Sequence, residues 1–255
     1  MSQNTEPDLI VTNSKGILKV TLNRPSKKNA LTILMYKKLA DIINGSVENA
    51  NICMLVITGK GDFFCSGSDF PDAMSSEIKN PNEVFKEFVD AMITYPKLLV
   101  AVVNGPAIGI GTTMLALFDI VYASEKAYFS TPFANLGLVA ESCSSYTFSR
   151  IMGKAKAGEM LYFCHKMSVE EARECGFISK IYKDDSVDKV WKRLENMATN
   201  MSFESFRAIK KLVKRWNQDL LLRVNAEEVQ ELEERYKSED FVNRVMTFFT
   251  RKSKM

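Results

Sequence analysis

The chain has 255 residues, 46% of them hydrophobic, and 34 basic against 31 acidic side chains give it a formal net charge of +3. Such a length suits one domain with an appendage, and the small basic excess without interleaved aromatics argues against nucleic acid as a partner. No apolar run approaches the ~20 residues of a membrane span, and the polar start MSQNTEPDLI lacks a secretory signal pattern.

The cysteine and histidine content argues against several kinds of site. The five cysteines are dispersed without CxxC spacing, which indicates reduced thiols and neither a disulfide framework nor a zinc site. His165 is the single histidine, so a Ser-His-Asp catalytic triad or a histidine-rich metal centre would depend on it alone. We therefore expect no metal site.

Strand and helix patterns alternate through the first part of the chain. Alternating apolar residues at 9–12 and 17–22, separated by Asn-Ser-Lys-Gly, predict a hairpin. Helical spacing over 32–43 predicts a helix capped by Thr32. The continuous apolar runs at 52–58 and 98–103 predict strands buried on both faces.

A glycine-rich turn follows the strand at 98–103. The segment NGPAIGIGTTM (104–114) has Gly109 and Gly111 around Ile110, and we expect Thr112 and Thr113 to cap a helix over 114–118. Strand, glycine turn and helix start direct free backbone N–H groups at one point, which suits a phosphate, a carboxylate or an oxyanion. The same glycines are equally suited to packing a helix closely against a strand.

A second turn, Ser66-Gly67-Ser68-Asp69, follows the strand at 52–58. Two such loops after adjacent strands can each provide one backbone N–H to a shared oxygen, as in an oxyanion hole for a thioester carbonyl. We expect Asp69 to cap the segment that comes after this turn.

The remainder of the chain continues the alternation and then becomes wholly helical. Further strands are predicted at 120–123, 128–130 and 177–182, with helices between them, which indicates an α/β spiral with right-handed crossovers. We divide the chain into a core, 1–199, and a helical region, 200–255. Spare apolar residues in that region predict docking on its own core or on a neighbouring subunit.

Taken together, SGSDF (66–70) and NGPAIGIGTTM resemble the enoyl-CoA hydratase/isomerase (crotonase) family, a similarity that runs from Leu22-Asn23-Arg24-Pro25 to the tail. The resemblance implies a crotonase-like ββα spiral core, a C-terminal all-helical trimerisation region, and a homotrimer or dimer of trimers. It implies fatty enoyl-CoA thioesters as substrates and the backbone N–H groups of Ser68 and Ile110 as oxyanion donors. The substrate-binding residues expected on this basis are Ser66, Gly67, Asp69, Phe70, Gly109, Gly111, Phe133, Leu136, Lys27 and Lys28.

Family hydratases carry two glutamates that this chain lacks. Thr113 occupies the position of one, and Phe133, after Pro132, occupies the position of the other. Adding water to a double bond needs a group that activates the water and a proton donor for the other carbon. The sequence therefore disfavours hydration.

One acid remains in this region. Glu141 lies in LGLVAESCSSY (136–146), which resembles the LGxxPEGCSSY segment of peroxisomal-type Δ3,Δ2-enoyl-CoA isomerases, with Ala140 for Pro and Ser142 for Gly. The resemblance implies that Glu141 moves a proton from C2 to C4 of a 3-enoyl thioester, shifting the double bond to C2–C3 without a metal or a redox cofactor. Two alternatives stay open: a hydratase-type activity, and a non-catalytic acyl-CoA-binding protein of the same fold.

The last three residues suggest a location. Ser253-Lys254-Met255 resembles the Ser-Lys-Leu peroxisomal address, with methionine in place of leucine. We therefore expect recognition by the peroxisomal import receptor and a peroxisomal location in preference to the mitochondrion or cytosol.

Overall fold

The computed structural model describes residues 6–75 and 77–252, so the proposed targeting residues 253–255 lie outside the described part. Its strands are β1 (Leu9–Ser14), β2 (Ile17–Leu22), β3 (Met54–Gly59), β4 (Leu98–Val103), β5 (Ala107–Ile108), β6 (Ile120–Ser124), β7 (Tyr128–Ser130), β8 (Met167–Ser168) and β9 (Lys180–Tyr182).

The helices begin after the first hairpin and dominate the C-terminal region. They are α1 (Ile33–Gly45), α2 (Phe70–Ser75), α3 (Pro81–Thr94), α4 (Ile110–Thr113), α5 (Phe133–Leu136), α6 (Ser144–Leu161), α7 (Val169–Glu174), α8 (Val187–Asn200), α9 (Phe203–Lys214), α10 (Gln218–Tyr236) and α11 (Glu239–Lys252). None of the helices in the described ranges combines the length and apolar character that crossing a membrane requires.

The strands form two sheets. The larger has the order β1-β2-β3-β4-β6-β9, with an antiparallel β1–β2 hairpin and parallel pairing from β2 onward. The smaller has the order β5-β7-β8. Parallel neighbours joined through helices confirm the predicted α/β fold, and the loops after β3 and β4 leave the sheet at the same edge.

Strand β4 separates two apolar layers. Leu99, Ala101 and Val103 belong to one buried cluster, whereas Val100 and Val102 belong to the other. All five side chains are fully buried. Because successive residues of a strand point to opposite faces, a strand covered on both sides must be apolar throughout, which explains the unbroken run in the sequence.

The C-terminal helices dock on their own core, one of the two arrangements that the apolar pattern predicted. Helix α10 packs on α3 and α6, and α11 packs on α5. Polar contacts add to this docking, since Lys210 of α9 pairs with Asp119 at 2.7 Å. Exposed apolar side chains nevertheless remain on α9 and just after it: Ile209, Leu212, Val213 and Trp216.

The helix after the second glycine turn begins earlier than predicted. Gly109, with φ +56°, turns the chain directly after β5, so α4 starts at Ile110 and residues Met114–Leu117 form a 3-10 turn. The expectation that Thr112 and Thr113 cap a helix at 114 is wrong. Their hydroxyls donate backward to the carbonyls of Ala107 (2.6 Å) and Gly109 (3.4 Å) because both residues already lie inside the helix.

The predicted strand at 177–182 is shorter than expected. The amides of Phe177 and Ile178 donate to the carbonyl of Ala172, at 2.8 and 3.2 Å, and so complete the end of α7. Pairing with β6 therefore begins only at Lys180.

Candidate active site

A buried asparagine anchors the loop beneath the first glycine turn. The side-chain amide of Asn29 donates to the carbonyls of Phe63 (2.6 Å) and Lys60 (3.0 Å), and its Oδ1 accepts from the Arg24 amide at 2.9 Å. Arg24 in turn pairs with Asp69 at 2.9 Å. The loop after β2 and the turn after β3 are thereby held together at both ends.

The first glycine turn leaves one amide unused. The carbonyl of Gly67 accepts from Leu31 N at 2.9 Å, and the amide of Asp69 donates to the carbonyl of Leu31 at 2.8 Å. Asp69 Oδ1 accepts from Asp72 N at 3.4 Å, which fits its expected capping role at the start of α2. Between these bonds, the amide of Ser68 donates to no group in the described part of the chain.

The second glycine turn has the same property. Its register is set by Ile108 N, which donates to the Cys65 carbonyl, and by Gly109 N, which donates to the Ser130 carbonyl, both at 2.9 Å. The amide of Ile110 begins α4 and therefore has no acceptor within the helix. No other acceptor for it occurs within residues 6–75 and 77–252.

The two turns touch through their glycines. A Cβ placed on Gly109 would lie 3.7 Å from Gly67 Cα, which is van der Waals contact. A Cβ placed on Gly111 would lie only 2.6 Å from the carbonyl oxygen of Cys65. The structure therefore brings the predicted turns together, with the unused amides of Ser68 and Ile110 each one residue beyond the touching glycines.

A cleft of about 1390 Å³ opens beside the turns and suits a large ligand. Of the predicted substrate-binding residues, its wall contains Lys27, Lys28, Ser66, Asp69, Phe70 and Leu136, together with Ser68. The other predicted residues are not among those that line the cleft: Gly67, Gly109, Ile110, Gly111, Phe133 and Glu141.

Sequence reasoning missed the part of the wall that distant elements contribute. The missed residues include Tyr128 of β7, Lys166 just before β8, and four residues of α11: Asp240, Asn243, Arg244 and Thr247. An ion pair between Arg235 and Asp240 (3.1 Å) and a bond from Arg235 Nε to the Gly137 carbonyl (2.9 Å) hold α11 there. The amphipathic tail indicated docking, but no local signal gave its position.

Glu141 is a buried acid three residues before the start of α6. Only 8% of its surface is exposed, and its carboxylate accepts no hydrogen bond within the described residues. Burial raises the pKa of Glu141 to about 8, and the negative charge of Glu228 adds to the rise. An acid with such a pKa can both take and return a proton near neutral pH.

Tyr36 links Glu141 to the first glycine turn. The Tyr36 hydroxyl and Ser68 Oγ form a hydrogen bond of 2.7 Å. Burial raises the pKa of Tyr36 well above its usual value, and the charge of Glu141 raises it further. Glu141 also raises the pKa of the buried Cys65 thiol, though less than burial does. The acid therefore lies within electrostatic reach of the turn that carries the Ser68 amide.

The turn that follows Glu141 has an unusual backbone. Ser142 and Cys143 have φ values of +54° and +63°, in the left-handed region that glycine occupies most easily. The Ser142 hydroxyl is buried and has no hydrogen-bond partner among the described residues. The chain thus adopts a glycine-type backbone at Ser142, where the related isomerase segment has Gly.

The chain is similar in sequence to a known protein family and to named relatives. Residues 12–255 match the family model described as enoyl-CoA hydratase/isomerase. Enoyl-CoA delta isomerase 2 of Rattus norvegicus is 43% identical over 97% of this chain, and enoyl-CoA delta isomerase 3, peroxisomal, of Mus musculus is 39% identical over 97% of it. The chain spans 64% and 80% of the lengths of these two relatives.

A solved structure of similar size supports the fold. The crystal structure of an enoyl-CoA hydratase/isomerase from Pseudoalteromonas atlantica T6c is 30% identical in sequence, with a TM-score of 0.90. The match covers 96% of this chain and 98% of the other.

The contact between the turns predicts a specific sensitivity at Gly111. In Gly111→Ala the new methyl group would meet the Cys65 carbonyl, so we expect a loss of about 1–3 kcal/mol in the free energy of unfolding from overpacking. Gly45→Ala is the matched control, because nothing lies within 4 Å of a Cβ at that helix end. Thermal unfolding followed by circular dichroism measures both; equal melting temperatures would contradict the close approach.

Proposed function

The chain belongs to the enoyl-CoA hydratase/isomerase family, and from that membership we propose that it moves the double bond of 3-enoyl-CoA, cis or trans, to trans-2-enoyl-CoA. This Δ3,Δ2-enoyl-CoA isomerase activity serves the beta-oxidation of unsaturated fatty acids. The reaction transfers a proton within one molecule and needs no cofactor or metal.

In this proposal the thioester oxygen binds between the two glycine turns. The amides of Ser68 and Ile110 donate to that oxygen, and they are free to do so because neither donates to another described group. Donors fixed by the backbone need no rearrangement when negative charge develops on the oxygen. They therefore stabilise the enolate more than the neutral thioester, which lowers the barrier.

Glu141 performs the proton transfer. Its carboxylate takes a proton from C2, the C–H electron pair enters the conjugated system, and the resulting dienolate carries its charge on the thioester oxygen. The protonated Glu141 then returns the proton to C4, leaving the double bond between C2 and C3. A single carboxylate suffices because the same proton leaves and returns.

The single observation that carries the proposal is one buried acid with a raised pKa near two unused amides. Thr113 and Phe133 occupy the positions of the two hydratase glutamates, and neither side chain can activate water as a carboxylate does. Relatives named enoyl-CoA delta isomerase, 39–43% identical, support the same choice.

The CoA portion is proposed to lie along the basic rim of the cleft. Lys27 and Lys28 are exposed on one side of it, and Lys166 and Arg244 line it elsewhere. Their positive charges suit the phosphates of CoA. Phe70 and Leu136 line the cleft and provide apolar surface for the acyl chain.

Replacing the acid tests the mechanism. Glu141→Gln keeps the shape but removes the base, so we expect kcat for 3-enoyl-CoA isomerisation to fall about 10³-fold. The Glu141→Gln variant must still fold, and the raised pKa of Glu141 predicts how the stability of the variant differs from that of the wild type. Burial raises the pKa of Glu141 in the folded chain to about 8 from its ordinary value of 4.5, so ionisation of Glu141 lowers the stability of the wild type as pH rises from about 4.5 to about 8. The variant lacks this loss. Above pH 8 the variant should therefore melt at a higher temperature.

The pH dependence of the wild type provides the matching control. Since Glu141 must be ionised to accept the C2 proton, kcat/KM should rise with pH and level off above about 8.

Two results would favour the alternative functions. If the protein adds water to 2-enoyl-CoA faster than it isomerises 3-enoyl-CoA, hydratase activity is favoured. Tight acyl-CoA binding in a calorimeter without turnover of any enoyl chain would favour a binding protein instead.

We also propose that the chain assembles as a homotrimer or a dimer of trimers. The exposed residues Ile209, Leu212, Val213 and Trp216 have the spacing of one helical face, and an apolar face of this kind is typical of an interface. Leu212→Glu should shift the mass measured by light scattering toward the monomer, whereas exposed Lys211→Glu should not. A wild-type monomer at micromolar concentration would refute the assembly.

The proposed location is the peroxisome, supported by the C-terminal Ser-Lys-Met and by the name of the mouse relative. With a fluorescent protein at the N-terminus, deletion of residues 253–255 should disperse peroxisomal fluorescence into the cytosol. Met255→Leu should preserve import. Unchanged peroxisomal fluorescence after the deletion would rule out import through these residues.

A further inference from the structure

We propose that Glu228 of α10 is a positioning residue for Glu141: its carboxylate holds the turn that carries Glu141, and its negative charge acts on the Glu141 carboxylate. This inference rests on the role proposed above for Glu141. Glu228 is not among the residues that line the cleft, and its carboxylate accepts hydrogen bonds from Cys143 and Ser145.

The geometry at Glu228 is that of a clamp. Oε2 accepts from Cys143 N at 2.6 Å, and Oε1 accepts from Ser145 N at 2.9 Å and from the Ser145 hydroxyl. These amides belong to the first turn of α6, where Cys143 offers no side-chain cap of its own. A carboxylate from a helix far along the chain thus supplies the missing N-terminal cap.

The turn needs such a restraint because of its backbone. Ser142 and Cys143 both have positive φ although neither is glycine, and each costs about 1–2 kcal/mol relative to an ordinary backbone. Glu141 directly precedes this pair, so any relaxation of the turn would redirect its side chain. Bonds to Cys143 N and Ser145 N hold the strained pair from its C-terminal side.

Helix α10 is itself fixed near this point. Asn225, one turn before Glu228, donates to Asp90 Oδ1 at 2.8 Å and to the Lys86 carbonyl at 3.2 Å, both on α3. Val229, the next residue after Glu228, is buried in the main apolar cluster. Glu228 is therefore held between the core helix α3 and the start of α6, and both oxygens of its carboxylate accept hydrogen bonds.

The two glutamates also interact through their charges. Burial raises the pKa of Glu228, while three hydrogen bonds from Ser145 and Cys143 favour its charged form. Burial and the Glu228 charge both raise the pKa of Glu141, and within the described ranges no basic side chain lowers it. The other titratable groups that interact with one of the two acids are Tyr36, Cys65 and Tyr236 for Glu141 and Cys143 for Glu228, and Asp90 acts on Cys143.

The Glu228→Gln variant tests whether the Glu228 carboxylate positions Glu141 or only fills space in the core. The amide keeps the size of the side chain but removes its charge and one of its acceptors. We expect kcat to fall about tenfold with KM for 3-enoyl-CoA nearly unchanged. We also expect the acid limb of kcat/KM to move to lower pH, because the like charge that raises the Glu141 pKa is gone.

Two companion variants sharpen the result. Glu227→Gln removes the same charge from the neighbouring, exposed position of α10 and should leave both quantities unchanged. Glu228→Asp keeps the charge but shortens the reach to Cys143 and Ser145, so kcat should fall while the acid limb stays closer to that of the wild type. This variant also serves if Glu228→Gln fails to fold.

Titrating the Glu141 carboxyl group in the absence of substrate tests the effect of Glu228 without relying on enzyme activity. With ¹³C-labelled glutamate, the carboxyl signal that disappears in Glu141→Gln belongs to Glu141, and its midpoint should move to lower pH in Glu228→Gln. An active wild type whose Glu141 midpoint is unmoved in Glu228→Gln would overturn the role of Glu228 alone. A shifted midpoint in a protein without isomerase activity would instead support Glu228 and refute the proposed function.

Discussion

The contact between two backbone turns is the constraint on which the candidate site depends. Gly67 and Gly109 lie against each other, and Gly111 lies so near the Cys65 carbonyl that a methyl group has no room. Such an approach requires β3 and β4 to be adjacent and parallel, so that both turns leave the sheet at one edge. The buried, uniformly apolar β4 secures that adjacency, and the Asn29 and Arg24 bonds then hold the first turn in place.

The acid shows how a chemical requirement opposes stability. Glu141 is buried without a hydrogen bond to its carboxylate in the described structure, close enough to Glu228 for the two charges to repel. Folding is favoured when Glu141 is protonated, whereas a general base must be ionised. The strained Ser142 and Cys143 add to this local cost. Bonds from Cys143 and Ser145 to Glu228 are the compensation that the structure provides.

The C-terminal helices belong to the site as well as to the surface of the core. Helix α11 supplies Asp240 and Arg244 to the cleft wall, and α10 supplies the Glu228 clamp. A boundary near residue 200 follows the change from mixed to purely helical sequence, yet the contacts at the cleft join both sides of it. For this reason the tail influences the acid even though more than eighty residues separate them along the chain.

Sequence alone determined the elements whose signals are local. The apolar run of β4 and the Thr32 cap of α1 are encoded by neighbouring residues, and the structure has both. The glycine turns were also identifiable, because close backbone approach requires glycine, and Glu141 was identified through the resemblance of its segment to that of the family's isomerases. What remained undetermined was every contact between distant segments. Glu228, Tyr36 and α11 reach the site only through packing, and no local pattern shows which helix face meets which turn. The raised pKa of Glu141 likewise arises from burial and a like charge that only the tertiary structure assembles.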